Sequence, residues 1–234
     1  MQVGLDRPLK LEWLDTLALK FRDENDVRAL REFLHAYLTQ ERPNRESRRK
    51  NITVLLKIWV HLPKENCKMK DRALRMIAEA KAVDRICIHW GMTLMAYPFF
   101  RDIASVIGKS LSLQGEVSLP QIQRRMVELW GDRSTVNIAT RKIVRMMAEW
   151  QVLEEASTRH YIQPERIVVS RELALWFVEA LLRAANSQTV PFDSLNLIPC
   201  AFPFKIDVSV AGIAHSKTME LRRQASNTDL VALR

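Results

Sequence analysis

Apolar residues recur at helical spacing through most of the first 85 residues of this chain. Four amphipathic helices are predicted, because in each segment the apolar positions fall on one side of a helix with about 3.6 residues per turn. They are Leu9–Phe21, Asp23–Gln40, a helix that starts after Asn44 and stops before Pro63, and Lys68–Lys81. Asn44 is a suitable N-cap, since its side-chain oxygen can accept a hydrogen bond from a backbone N–H of the first turn. The pattern therefore predicts a helical N-terminal domain over residues 1–84.

The segment Asp84–Tyr97 is apolar on nearly every side, which is typical of a helix at the centre of a core. Pro98 interrupts it, and an amphipathic helix follows. The longest apolar run, Ile86–Phe100, has 15 residues, whereas a membrane-spanning helix needs about 20. We therefore expect a buried helix and no membrane partner, with His89 as a hydrogen-bonded residue of the core.

The clearest start signals for helices lie in the middle of the chain. Ser118 and Gln121 form a capping-box pattern, which predicts the start of a short helix. Ser134 is expected to cap a second, longer helix that runs to Trp150. The elements predicted after it are a β-hairpin with its tip at Ala156–Thr158, a third strand at Ile167–Val169 and a helix from Ser170 to Ala185.

The segment 191–234 differs from the rest because three prolines interrupt it. A strand at Ile206–Val210 and a terminal hairpin within Met219–Leu233, with its tip at Ser226–Thr228, are predicted there. The chain is thus expected to be mainly α with small β-hairpins. Its predicted parts are the helical N-terminal domain, a second domain over 85–190 and a short β-containing C-terminal tail.

Helix, turn, capped short helix, tight turn, longer helix and β-hairpin follow one another over residues 98–169. This is the order of elements in a winged helix, whose second turn-linked helix lies in the major groove of DNA. We therefore expect a winged-helix unit with 98–169 as its core, which would take duplex DNA as its partner. Helix-turn-helix units also dock other proteins, so a scaffold role in a larger complex is the alternative.

The longer helix of this unit is expected to bury one side and to present the other to DNA. At about 100° per residue, its apolar side collects Val136, Ala139, Ile143, Met146, Met147 and Trp150. The opposite side carries Ser134, Thr135, Asn137, Ile138, Arg141, Lys142 and Arg145. Arginine suits guanine edges or phosphates, asparagine suits adenine, and an aliphatic side chain suits the thymine methyl group. A protein-docking face and a merely solvated face remain the alternatives.

The formal net charge is +9, and most of the excess is concentrated in one stretch. Between Arg42 and Arg85, 13 Lys and Arg residues stand against 5 Asp and Glu. Positive surfaces attract polyanions, and phosphate contacts hold a protein on DNA without specifying its sequence. The candidate phosphate-binding residues are Arg45, Arg48, Arg49 and Lys50 on the predicted third helix, Arg124 and Arg125 on the short helix, and Arg159 and His160 at the wing. For each group a solvated surface is the alternative.

The chain contains no catalytic motif of the common classes, such as a phosphate-binding glycine loop, HExxH, GxSxG or CxxC. The five histidines are scattered, and none has a His or Cys partner at metal-ligand spacing. The three cysteines form no close pair, and the N-terminus lacks the pattern of a secretory signal. We therefore expect a cytoplasmic, non-enzymatic protein with reduced thiols, no cofactor and no metal.

The stretch Tyr97–Leu153 resembles winged-helix proteins in general, through Pro98–Asp102, Ser134–Val136 and Trp150–Leu153. The layout of the chain also resembles the BrxA-type accessory proteins of bacteriophage-exclusion systems. The corresponding segments are the basic Arg48–Lys50, the apolar Ile86–Tyr97 and the Ser/Thr-started helix with its following leucine over 134–153. The resemblance implies a DNA-binding component of a bacterial anti-phage system that acts with larger partners, or a transcriptional regulator.

Overall fold

Ten α-helices and eight short strands follow one another along the residues that the computed structural model describes, which are 3–185, 189–223 and 229–234. The fold is mainly α with small β elements, as predicted. The first four helices are α1 (Leu11–Asp23), α2 (Val27–Tyr37), α3 (Arg45–Trp59) and α4 (Cys67–Glu79). The predicted cap of α3 is confirmed, because the side chain of Asn44 accepts a hydrogen bond from the backbone N–H of Ser47 at 2.8 Å.

The next two helices form the centre of the molecule. They are α5 (Ala82–Ala96) and α6 (Pro98–Gln114), with the break at Pro98 as predicted. The ring of Trp90 on α5 packs edge-on against Phe100 and Phe202, and its Nε1 donates to the carbonyl oxygen of Cys200 at 2.9 Å. This indole therefore links α5 to the C-terminal part of the chain. No helix within the described ranges is long and apolar enough to cross a membrane.

His89 on α5 is fully buried and hydrogen-bonded, as expected. Trp59 Nε1 donates to His89 Nδ1 at 3.3 Å, so the ring proton lies on Nε2 and is donated to Asp15 Oδ1 at 2.9 Å. Burial lowers the pKa of His89 although the carboxylate of Asp15 opposes the shift. The neutral ring is a structural link between α1, α3 and α5.

Residues 98–169 contain α6, β1 (Glu116–Ser118), α7 (Leu119–Trp130), α8 (Ser134–Glu149), β2 (Glu154–Ser157), β3 (His160–Ile162) and β4 (Ile167–Val169). The capping box at the start of α7 is confirmed, since Ser118 N donates to Gln121 Oε1 at 2.7 Å and Gln121 N donates to Ser118 Oγ at 3.4 Å. The expected cap of α8 is wrong by one position. Arg133 occupies the N-cap without a side-chain hydrogen bond to the helix, and Ser134 is the first helical residue.

The strands β1, β3 and β2 form one antiparallel sheet in that order. The predicted hairpin is confirmed, but its turn consists of Thr158 and Arg159 instead of residues 156–158. Arg159 has a left-handed φ of 63°. The expected third strand, β4, does not join this sheet. Instead, β4 pairs in parallel with β6 (Phe204–Ile206), a strand that lies much further along the chain.

The remaining elements are α9 (Arg171–Ala185), β5 (Thr189–Pro191), α10 (Val210–Ala214), β7 (Met219–Arg223) and β8 (Asp229–Leu233). The two strands of the predicted terminal hairpin are confirmed as the antiparallel pair β7 and β8, whereas its expected tip at 226–228 lies outside the described residues. The expected strand at 206–210 is wrong beyond Ile206. Ser209 accepts a hydrogen bond from the backbone N–H of Gly212 at 3.1 Å and thereby caps the short helix α10.

Buried apolar residues from 3–84, 85–185 and the described part of 189–234 belong to one contiguous core cluster. One close contact within it lies between α6 and the turn at Pro199–Ala201. A Cβ placed on Gly108 would come within 2.0 Å of the carbonyl oxygen of Pro199. The tail is therefore packed on α6, and glycine is required at this crossing.

Candidate nucleic-acid interface

The helix α8 has one exposed polar face and one buried apolar face. Arg141 and Arg145 are exposed, and Ile138, about one turn before Arg141, keeps 42% of its surface accessible. Ser134 and Thr135 are exposed at the start of the helix, and Asn137 and Lys142 are half-buried at its flanks. The predicted apolar residues Val136, Ala139, Ile143, Met146, Met147 and Trp150 are all buried. The predicted division of the helix into two faces is therefore confirmed.

Contacts on both flanks fix the orientation of α8. On one flank the segment before α1 crosses the helix, and Leu9 N donates to Met146 Sδ at 3.2 Å while Trp150 Nε1 donates to the carbonyl oxygen of Leu9 at 2.8 Å. On the other flank Gln123 Nε2 of α7 donates to the carbonyl oxygen of Asn137 at 3.2 Å. None of these contacts uses the exposed side chains, so the polar face stays open.

The cations on and beside this face differ in how far they are already paired. Arg145 Nε lies 2.9 Å from Glu149 Oε1 one turn along the helix, and Arg125 of α7 lies 2.8 Å from Glu128. Exposed pairs of this kind contribute about 0–1 kcal/mol, so a phosphate or a base can displace them. Among the described residues, Arg141, Lys142 and Arg124 have no hydrogen bond or ion pair with another side chain.

The four basic residues at the start of α3 do not form the uniform patch that the sequence predicts. Arg48 is turned inward, and its Nη1 donates to the carbonyl oxygens of Arg42 at 2.8 Å and Pro43 at 3.3 Å. Its Nε donates to His35 Nδ1 at 3.3 Å, and burial, followed by the charge of Arg48, lowers the pKa of that imidazole. Arg48 thus braces the turn between α2 and α3, which makes it the least available of the four.

The other three basic residues at the start of α3, Arg45, Arg49 and Lys50, are exposed. Arg49 donates from Nη2 and Nε to the two carboxylate oxygens of Glu46, at 3.0 and 3.1 Å, and Lys50 Nζ lies 3.5 Å from the same carboxylate. The hydrogen bond from Arg49 lowers the pKa of Glu46, which is therefore ionised at neutral pH. Within the described part of the chain, Arg45 has no ion pair.

A surface groove of about 540 Å³ joins the start of α3 to the start of α8. Its third wall is the segment Val3–Arg7, for which the sequence pattern predicts no helix or strand. The charged residues that line it are Asp6, Arg7, Arg49, Lys50 and Arg133, and the hydroxyl-bearing ones are Thr53 and Thr135. The structure therefore brings two of the predicted basic residues of α3, Arg49 and Lys50, into one groove with Thr135 at the start of α8, whereas the basic residues of α8 do not line it. No local sequence signal indicates this contact, because the regions are more than 80 residues apart.

The hairpin carries weaker features of a nucleic-acid contact. Arg159 and His160 are exposed, as expected for a wing, but Glu154 and Glu155 are exposed on the same hairpin. The backbone N–H of Arg159 donates to Glu155 Oε1 at 2.8 Å, and this bond fixes the turn. The two carboxylates outnumber the one arginine, so the hairpin has no positive excess.

Metal-ligand groups and cysteine thiols are two further features of the described ranges that bear on chemistry. Those ranges contain no group of three or more His, Cys, Asp or Glu side chains that could hold a metal. The three cysteines are free thiols, and two of them, Cys87 and Cys200, are buried. Burial raises the pKa of both thiols, to about 11 for Cys200, so they are protonated at neutral pH.

Comparison of the chain with protein-family models, with curated proteins and with solved structures gives no match. The function is therefore inferred from the geometry of α8 and the groove beside it.

Proposed function

We propose that this protein is a non-catalytic DNA-binding protein that inserts α8 into the major groove of duplex DNA, with residues 98–169 acting as a winged-helix unit. The observation that carries the proposal is the exposed face of α8, on which Arg141 and Arg145 lie one turn apart while the opposite face is fully buried. An α-helix fits the major groove, where an arginine can donate two hydrogen bonds to one guanine. Contacts on both flanks already hold α8 in place in the folded protein. No folding free energy is therefore lost when these side chains are presented to DNA.

The proposed contacts divide into those that specify sequence and those that position the protein. Ile138, Arg141 and Arg145 face base edges at the centre of the helix, with Ser134, Thr135, Asn137 and Lys142 around them. The groove residues of α3 hold phosphates on one side. We propose that Arg124 and Arg125 of α7, with Arg159 and His160 of the hairpin, contact the backbone on the other side.

A second candidate function is protein docking, and it has its own supporting observation. Leu113 at the end of α6 is 83% exposed and Leu129 on α7 is 54% exposed, and both line a groove of about 430 Å³. Exposed apolar side chains that line one groove are typical of protein-interaction sites. The two functions are compatible in one complex, and the resemblance to BrxA-type proteins favours a cytoplasmic anti-phage assembly or a regulatory complex with larger partners.

The two functions differ in their response to salt. We expect binding of generic duplex DNA in the micromolar range or tighter at about 50 mM salt, with log K falling linearly against log salt because phosphate contacts release counterions. Fluorescence anisotropy over a salt series measures this directly. Leu113→Ser should change the DNA affinity by less than about twofold, because this side chain lies on α6, outside α7, α8 and the groove beside α8, and the substitution changes no charge. If no duplex is bound at 50 mM salt, the DNA-binding proposal is wrong and the docking function is favoured.

A further inference from the structure

We propose that the groove between the segment Val3–Arg7, α3 and α8 binds the phosphodiester backbone of the same duplex that α8 reads, and that Glu46 competes with that backbone for Arg49 and Lys50. This inference rests on the proposed function, which already gives phosphates to Arg49 and Lys50, and extends it to Arg7 in the segment before α1 and to the competing carboxylate of Glu46.

The segment before α1 is a fixed wall of the groove. Val3, Leu5 and Leu9 are buried in the core, and Leu5 N donates to the carbonyl oxygen of Val3 at 2.8 Å. Gly4 permits this turn with a φ of 70°, and a Cβ on it would come within 3.1 Å of the Tyr97 ring. Arg7 is consequently held at the groove, and its side chain is only 21% exposed.

The lining of the groove is positive even after its carboxylates are counted. Four cations, Arg7, Arg49, Lys50 and Arg133, line it together with one acid, Asp6. Glu46 lies beside it, bonded to Arg49 and Lys50. The excess is two positive charges, which would balance the negative charges of two backbone phosphates. Both carboxylates are more than half exposed, so their pairs are weak enough for a phosphate to replace them.

The dimensions of DNA place a phosphate backbone next to α8. The major groove is about 12 Å wide, and a helix with its side chains is about 10–12 Å across. A helix that fills the major groove therefore has a backbone strand along each flank. Thr135 lies both on α8 and in the groove lining, so the groove occupies the flank where one of these strands must pass.

Because Glu46 is proposed to compete with the phosphates, removing its carboxylate should raise the affinity of the protein for DNA. This gain is the sharpest test of the proposal. Glu46→Gln removes the carboxylate that holds Arg49 and Lys50, keeps the shape of the side chain and leaves the Asn44 cap intact. We expect the variant to bind duplex DNA about three- to tenfold more tightly at 50–100 mM salt, as one repulsive charge a few ångströms from a phosphate implies. The matched control is Glu32→Gln on α2, which removes the same charge from an exposed pair with Arg28 outside the groove. It should change the affinity by less than about twofold, since it acts only through the net charge.

Two variants that each remove one positive charge from the groove should instead lose affinity for DNA. Arg7→Gln and Lys50→Gln should each weaken the binding of every duplex sequence by a similar factor and reduce the salt slope by about one. The melting temperatures of the free variants should stay near that of the wild type, which shows that folding is intact. If Glu46→Gln binds DNA no better than Glu32→Gln, the competition with Glu46 is wrong. If Arg7→Gln and Lys50→Gln keep the wild-type salt slope, the groove does not hold phosphates.

A parallel measurement separates these outcomes from a failure of the proposed function. Arg141→Ala on α8 should weaken duplex binding whether or not the groove is used. If it does so while the groove variants behave like their control, the inference is overturned and the proposed function stands. If Glu46→Gln raises the affinity for a single strand of equal length as much as for the duplex, the groove binds phosphates without α8 in a major groove, and the inference is again overturned. If the wild type binds no duplex, the proposed function is overturned first.

Discussion

The indole Nε1 of Trp150 donates a hydrogen bond to the carbonyl oxygen of Leu9 at 2.8 Å across 141 residues of sequence. This bond ties the end of α8 to the segment that enters α1. Both residues are buried, so water cannot replace either partner. The bond therefore helps to set the angle at which α8 presents its polar face, and it connects the end of α8 to the segment that continues from the groove wall Val3–Arg7.

Trp150→Phe should lower the free energy of unfolding by about 1–3 kcal/mol, because it leaves the buried carbonyl of Leu9 without a donor. Urea denaturation measures the loss. Trp130→Phe is the control, since Trp130 Nε1 donates to Asp102 at 3.0 Å, and that carboxylate is 24% exposed and can bind water instead. An equal or smaller loss for Trp150→Phe would show that this bond does not anchor α8.

Ile143→Asp should unfold the region around α8, because it buries an unpaired charge among residues that have no accessible surface. Ile138→Asp makes the same chemical change on the exposed face and should cost less than about 1 kcal/mol. Thermal unfolding followed by circular dichroism compares the two variants. Similar melting temperatures for both would contradict the division of α8 into a buried and an exposed face.

Gly108→Ala should destabilise the protein although alanine is a better helix former than glycine by about 1 kcal/mol. The added methyl group would meet the carbonyl oxygen of Pro199 at 2.0 Å, so the turn at Pro199–Ala201 must move away from α6. Ser112→Ala, at an exposed position of the same helix, should be neutral or slightly stabilising. A melting temperature of Gly108→Ala at or above that of the wild type would show that the tail does not pack on α6 in this way.

A buried carboxylate makes the stability depend on acidic pH. Burial alone raises the pKa of Glu179 on α9, but hydrogen bonds from Thr218, Arg72 and Arg183 outweigh it and leave the pKa below its ordinary value of 4.5. Because the folded-state pKa is the lower one, this contribution to stability is fully present above about pH 4.5 and is lost as the pH falls below it.

Glu179→Gln should therefore lower the unfolding free energy by about 1–3 kcal/mol at pH 7 and flatten its dependence on pH between about 5 and 3. Urea denaturation at several pH values tests both effects. Glu172→Gln, at an exposed position of the same helix, should change neither. An unchanged pH dependence in Glu179→Gln would mean that other carboxylates cause the acid sensitivity.

Local chemistry explains which parts of the fold the sequence could predict. Asn44 and the Ser118–Gln121 pair were predictable because a cap depends on residues within one turn. The cap of α8 was misplaced by one residue, because Arg133 adopts the extended N-cap conformation, with φ −137° and ψ 139°, without any capping side chain. The partner of β4 was not predictable, since Phe204–Ile206 pairs with it from a distant part of the chain.

In the candidate site, too, local features can be predicted from the sequence and long-range contacts cannot. The two faces of α8 follow from the spacing of its apolar residues, and they were predicted in full. The inward turn of Arg48 depends on the carbonyl groups of the Arg42–Pro43 turn, which the sequence does not position. The groove that joins α3 to α8 depends on the segment Val3–Arg7 crossing between them, and only the folded structure shows this.

The placement of α8 in the major groove is tested most directly by the affinities of Arg141→Ala and Arg145→Ala for duplex DNA, each compared with Arg28→Ala. Arg28 is the matched control, because it is an exposed helical arginine paired with a glutamate four residues on, as Arg145 is. We expect the two α8 variants to lose about 1–3 kcal/mol of binding free energy. Arg28→Ala should bind like the wild type, and all three variants should keep the wild-type melting temperature. Wild-type affinity in the Arg141→Ala, Arg145→Ala double variant would contradict the placement of α8 in the major groove.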